Sequence, residues 1–262
     1  MSYRFIPFAE YNGALNMAID EYLLEQQMLG APPVLRLYAF NPPTVTIGHS
    51  QKIEADAISR IQSRGFEVAR RPTGGRAVLH YKDLTYSFAA RELNESDSGI
   101  LAKSVSAAYK QICSGLQNAF EILGLKAELG SAEVPYRHLA DCFLATTNAD
   151  LQVAGKKLAG SAQLRRRGAV LQHGSIPLNL EQGLMLELLE GKSLADCPEL
   201  AGTNRHANLF EALNREVPHA ELCQAIQEGF ERAFAHSFDE QALSEQELAA
   251  ASTFLQKEAL VS

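Results

Sequence analysis

The residues best equipped for chemistry in this 262-residue chain are a cysteine, a lysine-bearing turn and a glycine-rich corner set among arginines. Cys142 lies in a stretch, Gly130 to Asn148, that has no sustained apolar period, and long irregular loops of that kind either carry function or are disordered. The turn Gly155-Lys156-Lys157 follows it. A thiolate is strongly nucleophilic and a neighbouring ammonium lowers its pKa, so this pairing suits a nucleophile; a buried, inert thiol is the competing reading. His138 falls one helical turn before Cys142, where it can act as a base if the piece is helical, or simply face solvent. The corner is Arg70-Arg71-Pro72-Thr73-Gly74-Gly75-Arg76, closed by His80. Pro72 fixes one φ, and Gly74 and Gly75 can take positive φ and let a ligand touch bare backbone N–H groups. On pattern alone a solvated hairpin turn fits these residues equally well.

Composition narrows the field. With 46% hydrophobic residues the chain can bury a sizeable core, and its length fits one large domain. The 24 basic and 31 acidic residues leave a net charge of −7 with no long basic block, so nucleic acid is not an expected partner. The opening Met1-Ser2-Tyr3-Arg4-Phe5-Ile6-Pro7 lacks the charged-then-apolar pattern of a signal peptide, and no uncharged apolar run approaches the ~18 residues a membrane span needs. A cytoplasmic location without membrane contact is the expectation. Cys113, Cys142, Cys197 and Cys223 form no Cys-x-x-Cys pair and are too sparse for a disulfide framework; neither a metal site nor a cofactor is called for.

The elements that must position these groups read as follows. Asn12 suits the N-cap of a helix with Leu15, Ala18, Ile19, Tyr22 and Leu23 on one apolar face and Asn16, Asp20 and Glu25 turned away from it. Val34 to Tyr38 and Thr44 to Gly48 are strand-like on either side of the Asn41-Pro42-Pro43 turn. A short helix from Ile53 to Arg64 stops at Gly65 and leads into a hairpin, Phe66 to Arg70 and Ala77 to Phe88, around the corner. A long helix follows, with Val105, Tyr109, Ile112, Leu116, Phe120 and Leu123 inward, Cys113 beside that stripe and Gly124 at its end. Leu158 to Ala162 and Ala169 to Ile176 make a second hairpin turned by Arg165-Arg166-Arg167-Gly168. The rest is mostly helical: Leu222, Cys223, Ile226, Phe230 and Phe234 form a stripe, and Ser244 to Glu247 resembles a capping box. Together these predict a single α/β domain with a mixed, mainly antiparallel sheet flanked by helices.

Two strings, Arg70 to His80 followed by Leu84-Thr85-Tyr86-Ser87, and Gly155-Lys156-Lys157-Leu158-Ala159-Gly160-Ser161-Ala162-Gln163, resemble the paired signatures of the biotin/lipoate protein ligase and octanoyltransferase superfamily. With Leu15 to Glu21 and Thr44 to Gly48 the resemblance runs from about residue 10 to about residue 235, leaving 236–262 as a helical extension of one catalytic domain over 1–262. It implies the fold of that catalytic domain. Lys157 matches the motif lysine that points at the reacting acyl carbonyl, with Lys156 turned away if the segment is extended. Cys142 falls where octanoyltransferases of the LipM type carry an acyl-accepting cysteine. Arg71, Gly74, Gly75, His80, Gly160 and Ser161 are the implied substrate-binding residues. The implied reaction moves octanoate from octanoyl-acyl carrier protein, through Cys142, to a lysine of a lipoyl domain or of glycine-cleavage H protein, supplying lipoate synthesis. The chain departs from the ligase pattern at Arg76, where ligases commonly carry a third glycine; a side chain there crowds a nucleotide's phosphates. It also ends soon after the core, without the accessory domain of many lipoate ligases. An ATP-dependent lipoate–protein ligase and a non-catalytic octanoyl- or lipoyl-binding protein are the rival expectations. The Arg165–Arg167 turn reads as solvated, or as a docking point for acidic carrier domains.

Overall fold

The structure is a computed structural model that describes residues 2–93, 99–130, 150–180, 183–197 and 206–255. Among the described residues, strands β1 (Tyr3–Tyr11), β2 (Val34–Phe40), β6 (Asp83–Arg91), β7 (Glu128–Leu129), β8 (Leu151–Val153), β9 (Lys156–Arg166), β10 (Ala169–Pro177) and β11 (Phe238–Glu240) form one sheet in the order β11-β1-β2-β6-β10-β9-β8-β7. Its pairings β11–β1 and β1–β2 are parallel and the others antiparallel. A smaller sheet joins β3 (Thr44–Ile47), β4 (Glu67–Arg70) and β5 (Val78–His80) in the order β4-β3-β5. The expected mixed, mainly antiparallel α/β domain is what forms.

Strand alternation sends Leu35, Leu37, Tyr86 and Phe88 to one face of the large sheet, where they pack with Ile112, Leu116 and Phe120 of α3 (Val105–Ile122) and Ile226 and Phe230 of α6 (His219–Phe234). The opposite face takes α1 (Gly13–Met28), capped by Asn12, whose Oδ1 accepts from Leu15 N at 2.8 Å. Ile19, Leu23 and Leu24 of α1 are buried there, each contributing about 1.5–3 kcal/mol. Helix α2 (Ala55–Ser63) stops at Gly65, at φ +77°, and packs against α4 (Leu184–Glu190); the short helix α5 (Leu209–Leu213) precedes α6. Ser244 and Glu247 make the capping box of α7 (Glu245–Ser252), which packs on α1, while β11 extends the large sheet beyond β1.

Four expectations are corrected. The corner is not a hairpin: β3 lies between β4 and β5, parallel to the first and antiparallel to the second. The run Ala77 to Phe88 breaks at Tyr81-Lys82, where Lys82 takes φ +52°, so β5 belongs to the small sheet and β6 to the large one. Asn16 and Asp20 do not face away from the core but are fully buried in it. Val105, expected inward, is 60% exposed at the start of α3. Tyr3 to Tyr11, where the sequence pattern names no element, forms β1, which slips register between Ile6 and Ala9, around Pro7.

Candidate active site

A cavity of about 360 Å³ lies between the two sheets. The small sheet and its corner contribute Thr46, Arg71, Gly74, Gly75, Val78 and His80; the large sheet contributes Tyr38, Thr85, His173 to Ser175, Lys157 and Gly160 to Gln163, with Met17 of α1, Tyr109 and Val105 of α3, and Asp150 completing the described wall.

Under one wall sits a carboxylate taken wholly out of water. Asp20 Oδ1 accepts from Arg36 Nη1 at 2.8 Å and Ser87 Oγ at 2.8 Å; its Oδ2 lies 2.8 Å from the Tyr38 hydroxyl and 2.9 Å from His173 Nδ1. Arg36, in the middle of an apolar strand, also donates to Asn16 and stacks 3.9 Å over the Tyr38 ring. Burial alone pushes the Asp20 carboxyl up, yet the His173 hydrogen bond and the charge of Arg36 hold it below its ordinary value. Burial pushes His173 down, against the pull of Asp20, so its imidazole is neutral at neutral pH. Its far nitrogen, Nε2, lies 2.7 Å from Thr73 Oγ1 in the corner.

A second chain repeats this pattern on the facing wall. His80 Nδ1 is 2.8 Å from Asp83 Oδ2, which also accepts from Ser175 at 2.7 Å and Thr85 at 3.2 Å, and His80 Nε2 is 3.0 Å from Thr46 Oγ1. The His80 ring stacks on Phe40 at 4.0 Å. Two arginines of the corner tie down its backbone: Arg70 donates to the carbonyls of Gly48, His49 and Gln51, and Arg71 to those of Thr46, Gly74 and Arg76 as well as to Thr46 Oγ1. Gly75 takes φ +96°, and its carbonyl presses so close to Gly48 that a Cβ there would stand 2.0 Å away.

At the other end is Lys157, only 1% exposed, its Nζ 2.9 Å from Asp150 Oδ1. It is the second residue of β9, turned inward, while the first, Lys156, is half-buried on the other side. Its aliphatic arm folds across Gly160, where a Cβ would stand 2.8 Å from Lys157 Cε. Ser161 Oγ is 2.8 Å from the Tyr86 hydroxyl, which also receives Gln172 Nε2 at 3.0 Å.

The structure thus brings Arg71, Gly74, Gly75, His80, Lys157, Gly160 and Ser161 into the lining of one cavity. Cys142 and His138 lie outside the described residues. Of the other cysteines, burial pushes the Cys113 thiol up to about 12 and that of Cys223 up to about 11, which removes both from thiolate chemistry near neutral pH. Arg165 and Arg166 are not free at a turn: Arg165 pairs with Glu92 at 2.7 Å and caps carbonyls before α3, and Arg166 pairs with Glu21 at 3.0 Å. Sequence reasoning missed Asp20, Arg36, Tyr38, Thr73, Asp83, Asp150 and His173; an arginine inside an apolar strand was the signal that a buried acid had to face it. Among the described residues no cluster of three or more His, Cys, Asp or Glu side chains is placed to hold a metal, and no helix is long and apolar enough to cross a membrane.

Known proteins share this chain's sequence and fold. The octanoyltransferase LipM of Anoxybacillus flavithermus is 35% identical over 94% of this chain and 91% of its own length, and that of Carboxydothermus hydrogenoformans is 36% identical over 94% and 93%. Among solved structures, lipoate-protein ligase A bound with ATP superposes with a TM-score of 0.77 at 24% identity, covering 100% of this chain and 97% of that one. A bipartite lipoate protein ligase from Thermoplasma acidophilum gives 0.76 at 24%, covering 98% and 93%. At that identity the structural likeness is one of fold. The model of the lipoyl protein ligase A/B catalytic domain matches residues 12–231, which contain both walls of the cavity, and the chain belongs to that family.

Proposed function

We propose that the protein is an octanoyltransferase of lipoate biosynthesis, taking octanoate from acyl carrier protein and passing it to the lysine of a lipoyl domain or glycine-cleavage H protein. The observation that carries the reading is a cavity of about 360 Å³ between the sheets with a buried lysine at its wall, in a chain similar over nearly all its length to octanoyltransferases. The cavity holds the acyl chain and Lys157 marks its carbonyl end. Cys142 is the acyl acceptor. Its thiolate attacks the thioester carbonyl, the carbon–sulfur bond to the carrier breaks, and the carrier leaves as a thiolate that takes a proton from water. The acceptor's neutral amine then attacks the new thioester, the carbon–sulfur bond to Cys142 breaks, an amide forms, and the proton the amine gives up returns to the Cys142 sulfur. Two bulky carriers cannot occupy one mouth together, and the thioester on the enzyme lets the first leave before the second arrives. Lys157, held by Asp150, polarises the carbonyl as negative charge develops on its oxygen. Gly74, Gly75, His80, Gly160 and Ser161 shape the acyl site, and Arg71 holds the corner that carries the two glycines. Arg76 in place of a glycine supports transfer without nucleotide.

The test is intact-mass analysis after incubation with octanoyl carrier and no acceptor. One added octanoyl group, mapped to Cys142 and missing in Cys142→Ala, is expected. Label on another residue, or full transfer by Cys142→Ala, overturns the thioester route. Product formed from free octanoate or lipoate with Mg-ATP, and none from the carrier, makes the protein a ligase instead; no turnover with either leaves a binding protein.

A further inference from the structure

A saturated acyl chain and this cavity look mismatched: much of the wall is threonine, serine, histidine and arginine. The hydrogen bonds resolve this. Asp83 Oδ2 accepts at its contact with His80, so the proton is on His80 Nδ1, and Thr46 Oγ1, which receives Arg71 Nη1 at 3.3 Å, turns its own proton to His80 Nε2. Asp20 likewise fixes the proton of His173 on Nδ1, so Thr73 donates to Nε2. In both rings each nitrogen is engaged inside the protein, and what is left to face the cavity is carbon.

We propose that the Thr46–His80–Asp83 and Thr73–His173–Asp20 chains are specificity devices that turn a polar wall apolar, so that the site accepts an unsubstituted acyl chain and rejects one bearing a hydroxyl. Thr73 and Asp20 are positioning residues acting through His173; Thr46 lines the cavity itself. This rests on the octanoyltransferase reading. Among the described residues neither ring offers an acceptor to a hydroxyl buried against it, and a hydroxyl left without one there is at a ~5- to 100-fold disadvantage. In Thr46→Ala the His80 Nε2 lone pair opens to the cavity and gives such a hydroxyl a partner.

Carrier thioesters of octanoate and of a series of monohydroxylated octanoates, competed in one reaction, read out the ratio. Wild type should prefer octanoyl at least ~5-fold over one or more of the hydroxylated chains, and Thr46→Ala should bring that preference close to parity, with Thr46→Ser restoring it. A merely structural role would slow all donors alike and leave the ratio unchanged, which overturns the proposal; Thr73→Ala repeats the test at the other ring. Histidine side-chain NMR of the whole protein should show Nδ1–H tautomers for His80 and His173, and Nε2–H at either overturns the proposal directly. If no thioester is a substrate, the transferase reading fails. The tautomers, and the relative binding of free octanoate and hydroxyoctanoates to wild type and Thr46→Ala, then still decide whether the wall discriminates.

Discussion

Gly160→Ala separates the position of Lys157 from the stability of the fold. Gly160 lies within β9, outside the left-handed region, so alanine meets no backbone strain. Its Cβ would stand 2.8 Å from Lys157 Cε, 3.1 Å from Nζ and 3.6 Å from Asp150 Oδ1. Ordinary carbon–carbon contact is ~3.5–4 Å, so the lysine arm has to move by roughly 1 Å. It is the far end of a flexible side chain, and the stability cost falls at the low end of overpacking, about 1 kcal/mol, or a Tm shift of ~2–4 °C for a chain of this size. The functional cost is of another order. A 1 Å misplacement of a group that polarises the reacting carbonyl costs ~10²-fold in rate. Acylation followed by rapid-quench intact mass, beside thermal unfolding, should give ~100-fold slower octanoyl loading with Tm nearly unchanged. Wild-type loading in a folded Gly160→Ala protein refutes the placement of Lys157 at the carbonyl.

Gly74 and Gly75 should respond differently. A Cβ at Gly74 meets nothing within 4 Å, so Gly74→Val should keep the wild-type Tm and raise KM for the octanoyl donor, whereas Gly75, at φ +96°, should lose stability with any side chain. A Gly74→Val protein with unchanged KM removes that glycine from the acyl site. Acid should also loosen the molecule. The folded pKa of His173 is lowered, so as pH falls below the unfolded value of ~6.5 the unfolded chain takes up a proton that the folded chain refuses, and stability drops by up to ~1.4 kcal/mol per pH unit until the folded pKa is reached. The contribution of Asp20, whose pKa is also lowered, is present above ~3.9 and is lost as pH falls through its folded value. Urea midpoints at pH 7.5 and 5.5 should show the first loss, and it should shrink in His173→Gln; stability that rises on acidification contradicts the neutral buried imidazole.

Much of the fold was legible because the relevant signals are local. The Asn12 cap, the Gly65 and Gly124 stops, the β9–β10 hairpin and the Ser244 capping box depend on a few adjacent residues, and each stands where its sequence placed it. The failures share a different cause, since each needed knowledge of a distant partner. Asn16 and Asp20 look like a solvent face until Arg36 is seen to enter from β2. Pro-Thr-Gly-Gly suits a hairpin as well as a crossover, and only the helix α2 between β3 and β4 hinted that these strands pair in parallel. The site residues carried by the two glycine-bearing strings converge on one cavity; Asp20 and His173 pair across 153 positions, and nothing local to either announced the other.

The two threonine–histidine–aspartate chains also explain how the cavity keeps its width. Thr73 belongs to the corner of the small sheet and His173 to β10 of the large one, so their 2.7 Å hydrogen bond spans the gap between the layers. His80 belongs to β5 and Asp83 to β6, so the second chain spans it again on the other side of the Tyr81-Lys82 break. Apolar packing is non-directional and lets two layers slide over small distances at little cost, whereas a buried hydrogen bond left unmade costs about 1–3 kcal/mol. The separation of the sheets is therefore set by polar contacts at two places on the cavity wall. The interior between them can stay open and apolar without collapsing, as a site for a flexible alkyl chain requires.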